Sequence, residues 1–594
     1  MSDTEYKMER WSLEDLFAEY DDPEVQVTKD KTEELVKALE ATRERLSPDL
    51  EADEFLEIVK QYDALTRLIN RLTAYGLLKF TEDTQDQQAQ TFQAQMHQLA
   101  AEVANRVLFF TLWWKGLEDK PAERLMDASG DYRYWLEALR LQTPYTLSES
   151  EEQVINLKDV NGSQALVTLY DSITNRYTFE VEVDGEVKEH TREELLIYVR
   201  GTDPDLRKAA YQELHRVYEQ DAPILGQIYQ YRVRDWQSEN IGLRNYASPI
   251  AVRNISNDVP DEIVDILLQV AEANTSLFHR FFDLKARWLG IERLRRYDIY
   301  APVVKTDKTY PFADAIQLTL ESFQKFDPNV ATLAERVFKE RHIDSEVRKG
   351  KRGGAFCLTV EPTLTPWILQ SYKGLPDDVA TMAHELGHAI HSMLAEHHTT
   401  LTQFSSLPLA ETASTFAEML MVDHLMEQDP DPAVRRDLLF RQMDDAYATI
   451  MRQAYFAIFE RAAHGMITEG ASVDDLSKAY YENLQGQFGD SLDLTEDFQV
   501  EWVEIPHIYH YPFYVYAYAF GQLLVLSLYQ QYLQEGDAFK PRYLEILSAG
   551  GSDAPVRILD RAGIDIRSAD FWQGGFDVLK VALERLEAIE IEVA

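Results

Sequence analysis

Cysteine occurs once in 594 residues, at Cys357. A single thiol excludes an intramolecular disulfide framework, and its place in the apolar run Ala355–Val360 predicts a buried side chain rather than a nucleophile. Uninterrupted apolar runs of about 18 residues are missing too. The opening Met1-Ser2-Asp3-Thr4-Glu5-Tyr6 lacks the basic and apolar segments of an export signal. Neither membrane spanning nor export is expected, and the expected compartment is the cytoplasm. Low-complexity linkers and internal repeats are also absent. Basic residues are scarce beside acidic ones: 59 Lys and Arg against 102 Asp and Glu leave a net charge of −43. A field of that sign repels phosphate backbones and anionic lipid, which excludes nucleic acid and membranes as partners. Solubility, dispersion at high salt and preference for cationic peptides all remain open as reasons for the acid excess. What is present is ample core material, 45% hydrophobic residues in a chain long enough for two lobes.

The chain reads as mostly α-helical. Between Glu14 and Leu141, apolar residues such as Phe55, Ile58, Val59, Tyr62, Leu65, Leu68, Ile69 and Leu72 recur at spacings of three and four, predicting antiparallel helices. The polar run Thr84–Gln88 lies within that pattern and reads as a solvated helix face; Phe109, Phe110, Trp113 and Trp114 read as core. Near Asn161-Gly162 the pattern changes. Alternation in Ala165–Tyr170 and in Tyr177–Val183, followed by an Asp184-Gly185 turn, predicts a small β insert over 164–186. Thr191-Arg192-Glu193-Glu194 has capping-box form and restarts helices, which continue from Asp203 through Trp236 and from Val259 to Leu289.

His384-Glu385-Leu386-Gly387-His388 carries the chemistry. Two imidazoles four residues apart project from one face of a helix with Glu385 beside them, the pattern of a metal site with an attached general base. Pro376-Asp377-Asp378 starts that helix, and Val379, Met382, Leu386, Met393 and Leu394 give it an apolar side. Gly387 costs about 1 kcal/mol relative to alanine inside a helix and asks for a reason, such as the close approach of another backbone. A catalytic zinc site uses three protein ligands, so a third must come from elsewhere. His391 shares the face, but seven helical residues span about 10.5 Å, too far for one ion to reach both His391 and His384. Leu394 occupies the position where an extended pattern would place a third histidine. Leu409–Glu418 reads as a second amphipathic helix, with Ala413, Phe416, Ala417 and Leu420 on one side and Glu411 and Glu418 on the other. An antiparallel return after a loop of about a dozen residues sets Glu411 against the imidazoles as third ligand, with Glu418 two turns on as an outer partner or solvated. His397 and His398 lie outside both motifs and are expected at the surface.

The run Asp378–Ser392, together with Ala410-Glu411-Thr412-Ala413-Ser414, resembles the oligoendopeptidase F branch of the thimet oligopeptidase family of zinc peptidases. Further likeness lies in Gly350–Cys357, in Ile505–Tyr509 with Phe513–Tyr516 and Gly521, in Ala549-Gly550-Gly551 through Phe571-Trp572, and in Trp11-Ser12-Leu13. The resemblance implies a two-lobed, zincin-type metallopeptidase with a deep central substrate channel that admits oligopeptides and excludes folded proteins. It divides the chain into an N-terminal helical lobe with the β insert, 1–200, and a catalytic domain, 201–594. One Zn²⁺ per chain, on His384, His388 and Glu411, would polarise the scissile carbonyl and lower the pKa of water, with Glu385 taking the proton and passing it to the leaving amine. An edge hairpin before the zinc helix, Ala355–Val360 and Trp367–Tyr372, would pair with an extended substrate through its main chain, and Gly353 and Gly354 would permit that approach. His507 and either Tyr514 or Tyr516, alternatives left by the register across Pro512, would donate hydrogen bonds to the developing oxyanion. A zinc carboxypeptidase or peptidyl-dipeptidase is the rival reading, and a non-catalytic zinc-containing peptide-binding protein a more distant one.

Overall fold

Helices make up most of the chain in its computed structural model, which describes residues 6–303, 308–429 and 431–589. The described residues of Met1–Thr143, Asp307–Pro430 and Leu528–Asp565 form one compact unit; those of Pro144–Thr306, Asp431–Ser527 and Ile566–Ala594 form a second. Neither unit is a continuous stretch of chain, and residue 200 lies within the second.

The first unit opens with three long helices, Pro23–Glu40, Ala52–Glu82 and Gln87–Gly116. Phe55, Ile58, Val59, Leu65 and Leu72 are buried, as their spacing predicts; the first four pack with Phe110 and Trp114 while Phe109 and Trp113 lie half-buried beside them, and Leu72 packs with Tyr75 and Trp367. The polar run at Thr84–Gln88 is not the solvated helix face expected of it. Asp83 ends one helix in an extended conformation, its carboxylate accepts from the Gln85 N–H, and Asp86 caps the next helix by accepting from the Gln88 N–H. Short acidic side chains that hydrogen-bond nearby backbone favour caps over helix interiors, which apolar periodicity alone does not register.

Ahead of the histidines the expected hairpin is present, and a third strand widens it into a three-stranded sheet. Trp367–Gln370 is its centre, antiparallel to Ala355–Leu358 and parallel to the two-residue strand Ile343–Asp344, which leaves Ala355–Leu358 at an edge. Cys357 is half-buried on that edge. Lys351, in the turn before it, is almost fully buried and donates to the carbonyls of Asp344, Glu346 and Gln370, each at 2.9 Å, while its ammonium pairs with Asp344 at 2.8 Å. The Gly350–Cys357 run thus contains a buried cation that fixes the turn. Gly354 takes φ 84°, open to glycine at no steric cost, and nothing stands within 4 Å of a Cβ placed on Gly353 or Gly354.

The histidine helix, Pro376–Leu394, follows directly. Its Asp378 carboxylate accepts from the N–H groups of Lys373 and Leu375, and the Gln370 side chain donates to the Asp378 carbonyl at 2.6 Å, so the sheet sets the helix's origin. Val379, Met382, Leu386 and Met393 are buried. The return helix, Ser414–Gln428, packs across it in the antiparallel sense, since Gly387 meets Ser414 and His384 meets Glu418. A Cβ on Gly387 would lie 2.5 Å from the Ser414 Cα and 2.6 Å from the Ala413 carbonyl oxygen. That contact is the reason for a glycine inside the helix.

In the second unit, residues 165–170 are helical, not a strand: Ser163–Thr174 is a helix, and the β element is the hairpin Phe179–Val183 with Glu186–His190. A six-residue apolar run fits either period, and here the buried pair Ser163 and Tyr170, seven apart, marks the helical one. Thr191 forms its capping box with Glu194, and the expected helices stand at Pro204–Trp236, Asp261–Ala273 and Thr275–Trp288.

Two glycine-to-alanine changes should move stability in opposite directions. Gly387→Ala forces backbone apart and should cost about 1–3 kcal/mol, more than the helix propensity it gains. Gly465→Ala, in the helix Arg452–Thr468 with nothing within 4 Å of the new Cβ, should stabilise by about 0.5–1 kcal/mol. Thermal midpoints of the two variants check this; an unchanged or raised midpoint for Gly387→Ala would remove the close approach as its explanation.

Candidate metal centre

His384 and His388 turn their Nε2 atoms to the same point, which Glu411 faces: Glu411 Oε2 lies 3.4 Å from one and 3.5 Å from the other. One ligand atom from each of the three residues falls within 4.8 Å of the others. Glu411 does not reach this point from a helix, as the amphipathic reading of 409–418 expects. It sits in a turn between the short 3₁₀ segment Leu407–Leu409 and the first residue of the return helix. Ser414 Oγ donates to Glu411 Oε2 at 2.6 Å and so fixes the carboxylate that the turn presents.

Glu418 lies in hydrogen-bonding reach of the opposite side of the first imidazole, its Oε2 3.3 Å from His384 Nδ1. A carboxylate on one ring nitrogen sets the tautomer, leaving the other nitrogen to coordinate, and raises its basicity. Two carboxylates converging on His384 more than offset the burial that opposes its charge, and push its pKa up to about 10. His388 goes the other way, down to about 4, through burial and the neighbouring charge of His384. Burial raises Glu411, yet the hydrogen bond from His384 and the charges of both histidines bring it to about 2. A carboxylate held ionised against two imidazole nitrogens is a donor set that suits a divalent cation.

Glu385 stands beside the cluster without joining it. It is 6% exposed, and its Oε2 has no hydrogen-bond partner. Burial raises its pKa to about 7, against the pull of His384. A carboxyl poised near neutrality, with a free oxygen, suits proton transfer in both directions. The edge strand passes close by, because the charge of Glu385, after burial, is what pushes the Cys357 thiol up and keeps it protonated. His391 is buried one turn beyond His388 and is not among the converging ligands. His397 is exposed as expected, but His398 is not a surface residue: it is held between Asp131 at 2.9 Å and the Ser548 carbonyl at 3.0 Å. Its two partners come from distant parts of the sequence, which no local pattern announces.

The tyrosine-rich stretch belongs to the second unit and divides by role. Tyr509 is fully buried and stacks on Tyr170 with ring centroids 3.9 Å apart. Tyr516 is 1% exposed, and its hydroxyl accepts from Asn257 at 2.8 Å. Between them Phe513 adopts φ 58° and donates its N–H to Glu460 at 2.9 Å, a bend that rotates the faces of the chain on either side of it. Beyond the bend, Tyr514 is half-buried and packs edge-on against Tyr518, whose hydroxyl lies 3.5 Å from His507 Nε2. Burial, then Arg452 and His510, hold the His507 pKa down, which favours the neutral ring. The structure thus groups His507 with Tyr514 and Tyr518 and gives Tyr516 to the core. Tyr518 escaped sequence reading, although its spacing of four from Tyr514 carried the signal.

Comparison with known proteins bears on the same residues. The model of Peptidase family M3 matches residues 197–578, and that of Oligopeptidase F matches residues 114–179. Group B oligopeptidase PepB of Streptococcus agalactiae is 28% identical over 99% of this chain and 98% of its own length, and oligopeptidase PepF of Bacillus subtilis is 25% identical over 98% and 87%. Among solved structures, a peptidase of Chlamydophila abortus superposes with TM-score 0.88 at 23% identity, covering 98% of both chains. Oligoendopeptidase-F of Enterococcus faecium does so with TM-score 0.70 at 23% identity, covering 95% of this chain and 99% of its own. With a family model matched along most of its length, and both convergent histidines and Glu411 inside the matched span, the chain belongs to peptidase family M3 and is a metallo-endopeptidase.

Proposed function

We propose that this enzyme is a zinc-dependent oligoendopeptidase in which His384, His388 and Glu411 hold one Zn²⁺ and Glu385 is the general base. The observation that carries the reading is the convergence of two imidazole nitrogens and one carboxylate oxygen beside a buried carboxylate with a free oxygen. Two ligands about 2.1 Å from a tetrahedral ion stand roughly 3.4 Å apart. The separations of 3.4 Å and 3.5 Å from Glu411 Oε2 to the two nitrogens agree with that. When bound, the zinc would supply a Lewis acid that polarises the scissile carbonyl and makes water a nucleophile at neutral pH.

The chain's own groups do the rest. Glu385 accepts the proton of the attacking water and returns it to the leaving amine. Its raised pKa places both transfers near neutrality. Glu418 holds the His384 ring, and Ser414 holds Glu411. The edge strand Ala355–Leu358, with open space at Gly353 and Gly354, is proposed to add the substrate as a further strand, main chain to main chain. His507 and Tyr514 are proposed as donors to the developing oxyanion, the role the family resemblance implies. Tyr516, hydrogen-bonded to Asn257 in the core, is assigned to packing. Short oligopeptides as substrates, a catalytic domain running from about residue 201 to the end, and action in the cytoplasm complete the proposal. Among the described residues no helix is long and apolar enough to cross a membrane. Peptides blocked at the C-terminus separate this enzyme from a carboxypeptidase or peptidyl-dipeptidase, which would leave them intact.

Three sets of variants test the roles. Glu385→Gln should keep about one zinc per chain and lower kcat by about 10²–10⁴. Substantial remaining turnover would sink the general-base assignment. Glu411→Ala should empty the site under dialysis, whereas Glu418→Ala should weaken zinc binding about 10–100-fold, as expected for a partner of a ligand. If Glu418→Ala proves the more damaging, the two carboxylates have been assigned in the wrong order. Tyr514→Phe should lower kcat by about 10²–10³ with little change in KM, the mark of a group that contacts only the transition state. Tyr516→Phe should instead lower the thermal midpoint and leave kcat unchanged; the reverse pattern would move the donor to Tyr516.

A further inference from the structure

A second group of metal-capable side chains stands in the first unit, apart from the centre just described: Asp15, Glu340 and His342, again with one ligand atom from each within 4.8 Å of the others. Their positions follow from how the helix Pro328–Lys339 ends. Glu340 caps it, Arg341 turns through φ 58°, and His342 leads into the strand Ile343–Asp344. Asp15 comes from the opening segment of the chain. That segment lies on the same sheet, with the Ser12 N–H donating to the Arg341 carbonyl at 2.7 Å and the Trp367 indole donating to the Ser12 carbonyl at 2.8 Å.

His342 distinguishes this group from a chance gathering of surface carboxylates. It is 1% exposed and stacks on Trp367 with centroids 4.1 Å apart. Its Nδ1 lies 2.8 Å from the Thr365 carbonyl oxygen. A carbonyl can only accept, so Nδ1 carries a proton, and in the neutral ring Nε2 is left as a lone pair. That lone pair points at the Asp15 carboxylate, 3.2 Å away, with Glu340 alongside. Arg336 pairs with Glu340 Oε1 at 3.1 Å, but between Asp15 and His342 Nε2 a carboxylate faces a lone pair, and the two repel unless a cation or a proton lies between them. A backbone carbonyl on the far ring nitrogen is also the usual partner of a metal-bound histidine.

We propose that Asp15, Glu340 and His342 form a second, non-catalytic site for a divalent transition-metal ion of the zinc class. One imidazole and two carboxylates suit such an ion, and the exposed side leaves room for water to complete its coordination. An ion there would fasten the opening segment to the end of the helix and to the sheet whose edge strand lies beside Glu385.

Both carboxylates are exposed, so Asp15→Asn and Glu340→Gln can be made without disturbing the stacked histidine. Zinc uptake by the full chain would be measured by equilibrium dialysis at buffered free Zn²⁺, with excess Mg²⁺ present to occupy merely acidic patches. Wild type should bind one equivalent more than either variant, and its thermal midpoint should keep rising with zinc after theirs has levelled off. Anomalous diffraction at the zinc edge should place the extra ion on His342 Nε2. Equal uptake by all three proteins would overturn the proposal and leave a protonated His342 paired with Asp15. The inference does not rest on the centre at His384: if that bound no zinc, every count would fall by one and the difference between wild type and variants would remain.

Discussion

The close contact between Gly387 and the Ala413-Ser414 backbone is the constraint on which the candidate metal centre depends. Without a Cβ at 387, the two helices approach until the turn before Ser414 lies against the two imidazoles. That turn carries Glu411, and Ser414, the residue that touches Gly387, is also the one that hydrogen-bonds Glu411. Packing and ligand placement are therefore one contact seen from two sides. The same approach puts Glu418 one turn into the return helix, behind His384, so that the turn supplies the opposing carboxylate and the helix the group on the far side of the ring.

Desolvation then differentiates residues of the same type. Glu385, Glu411 and Glu418 are chemically alike, yet Glu411 is held ionised by two histidines while Glu385, buried without a partner for one oxygen, is raised to about 7. An ionised carboxylate suits a cation, and a carboxyl near neutrality suits proton transfer. The structural cost of this arrangement is carried by the adjoining sheet. Lys351 and Asp344, both buried, tie the turn before the edge strand, and Gln370 ties the central strand to the first turn of the histidine helix.

Much of this was legible in the sequence. The histidine helix, its start at Pro376, the reason for Gly387 and the exclusion of His391 all follow from helical geometry, because residues three, four and seven apart on a helix have fixed relations. The capping box at Thr191 and the Asp184-Gly185 hairpin turn are legible for the same reason: each is a local hydrogen-bond pattern with its own residue code. The sequence misled where two periods compete over a short span. Residues 165–170 fit strand and helix alike, and Thr84–Gln88 lay between two helical patterns whose caps hide in polar residues.

What the sequence by itself determined is the candidate pair of histidines with Glu385 and the helix that aligns them, since both rest on spacing along one regular element. What only the tertiary structure decided is everything that crosses between elements. Glu411 turned out to lie in a turn, His398 to be clasped between Asp131 and Ser548, and Tyr518 rather than Tyr516 to stand beside His507. Asp15 meets His342 across more than half the chain's length. Such pairings are set by packing and by single bends such as that at Phe513, where a change of backbone region rotates every following side chain, and no periodicity along the chain encodes them.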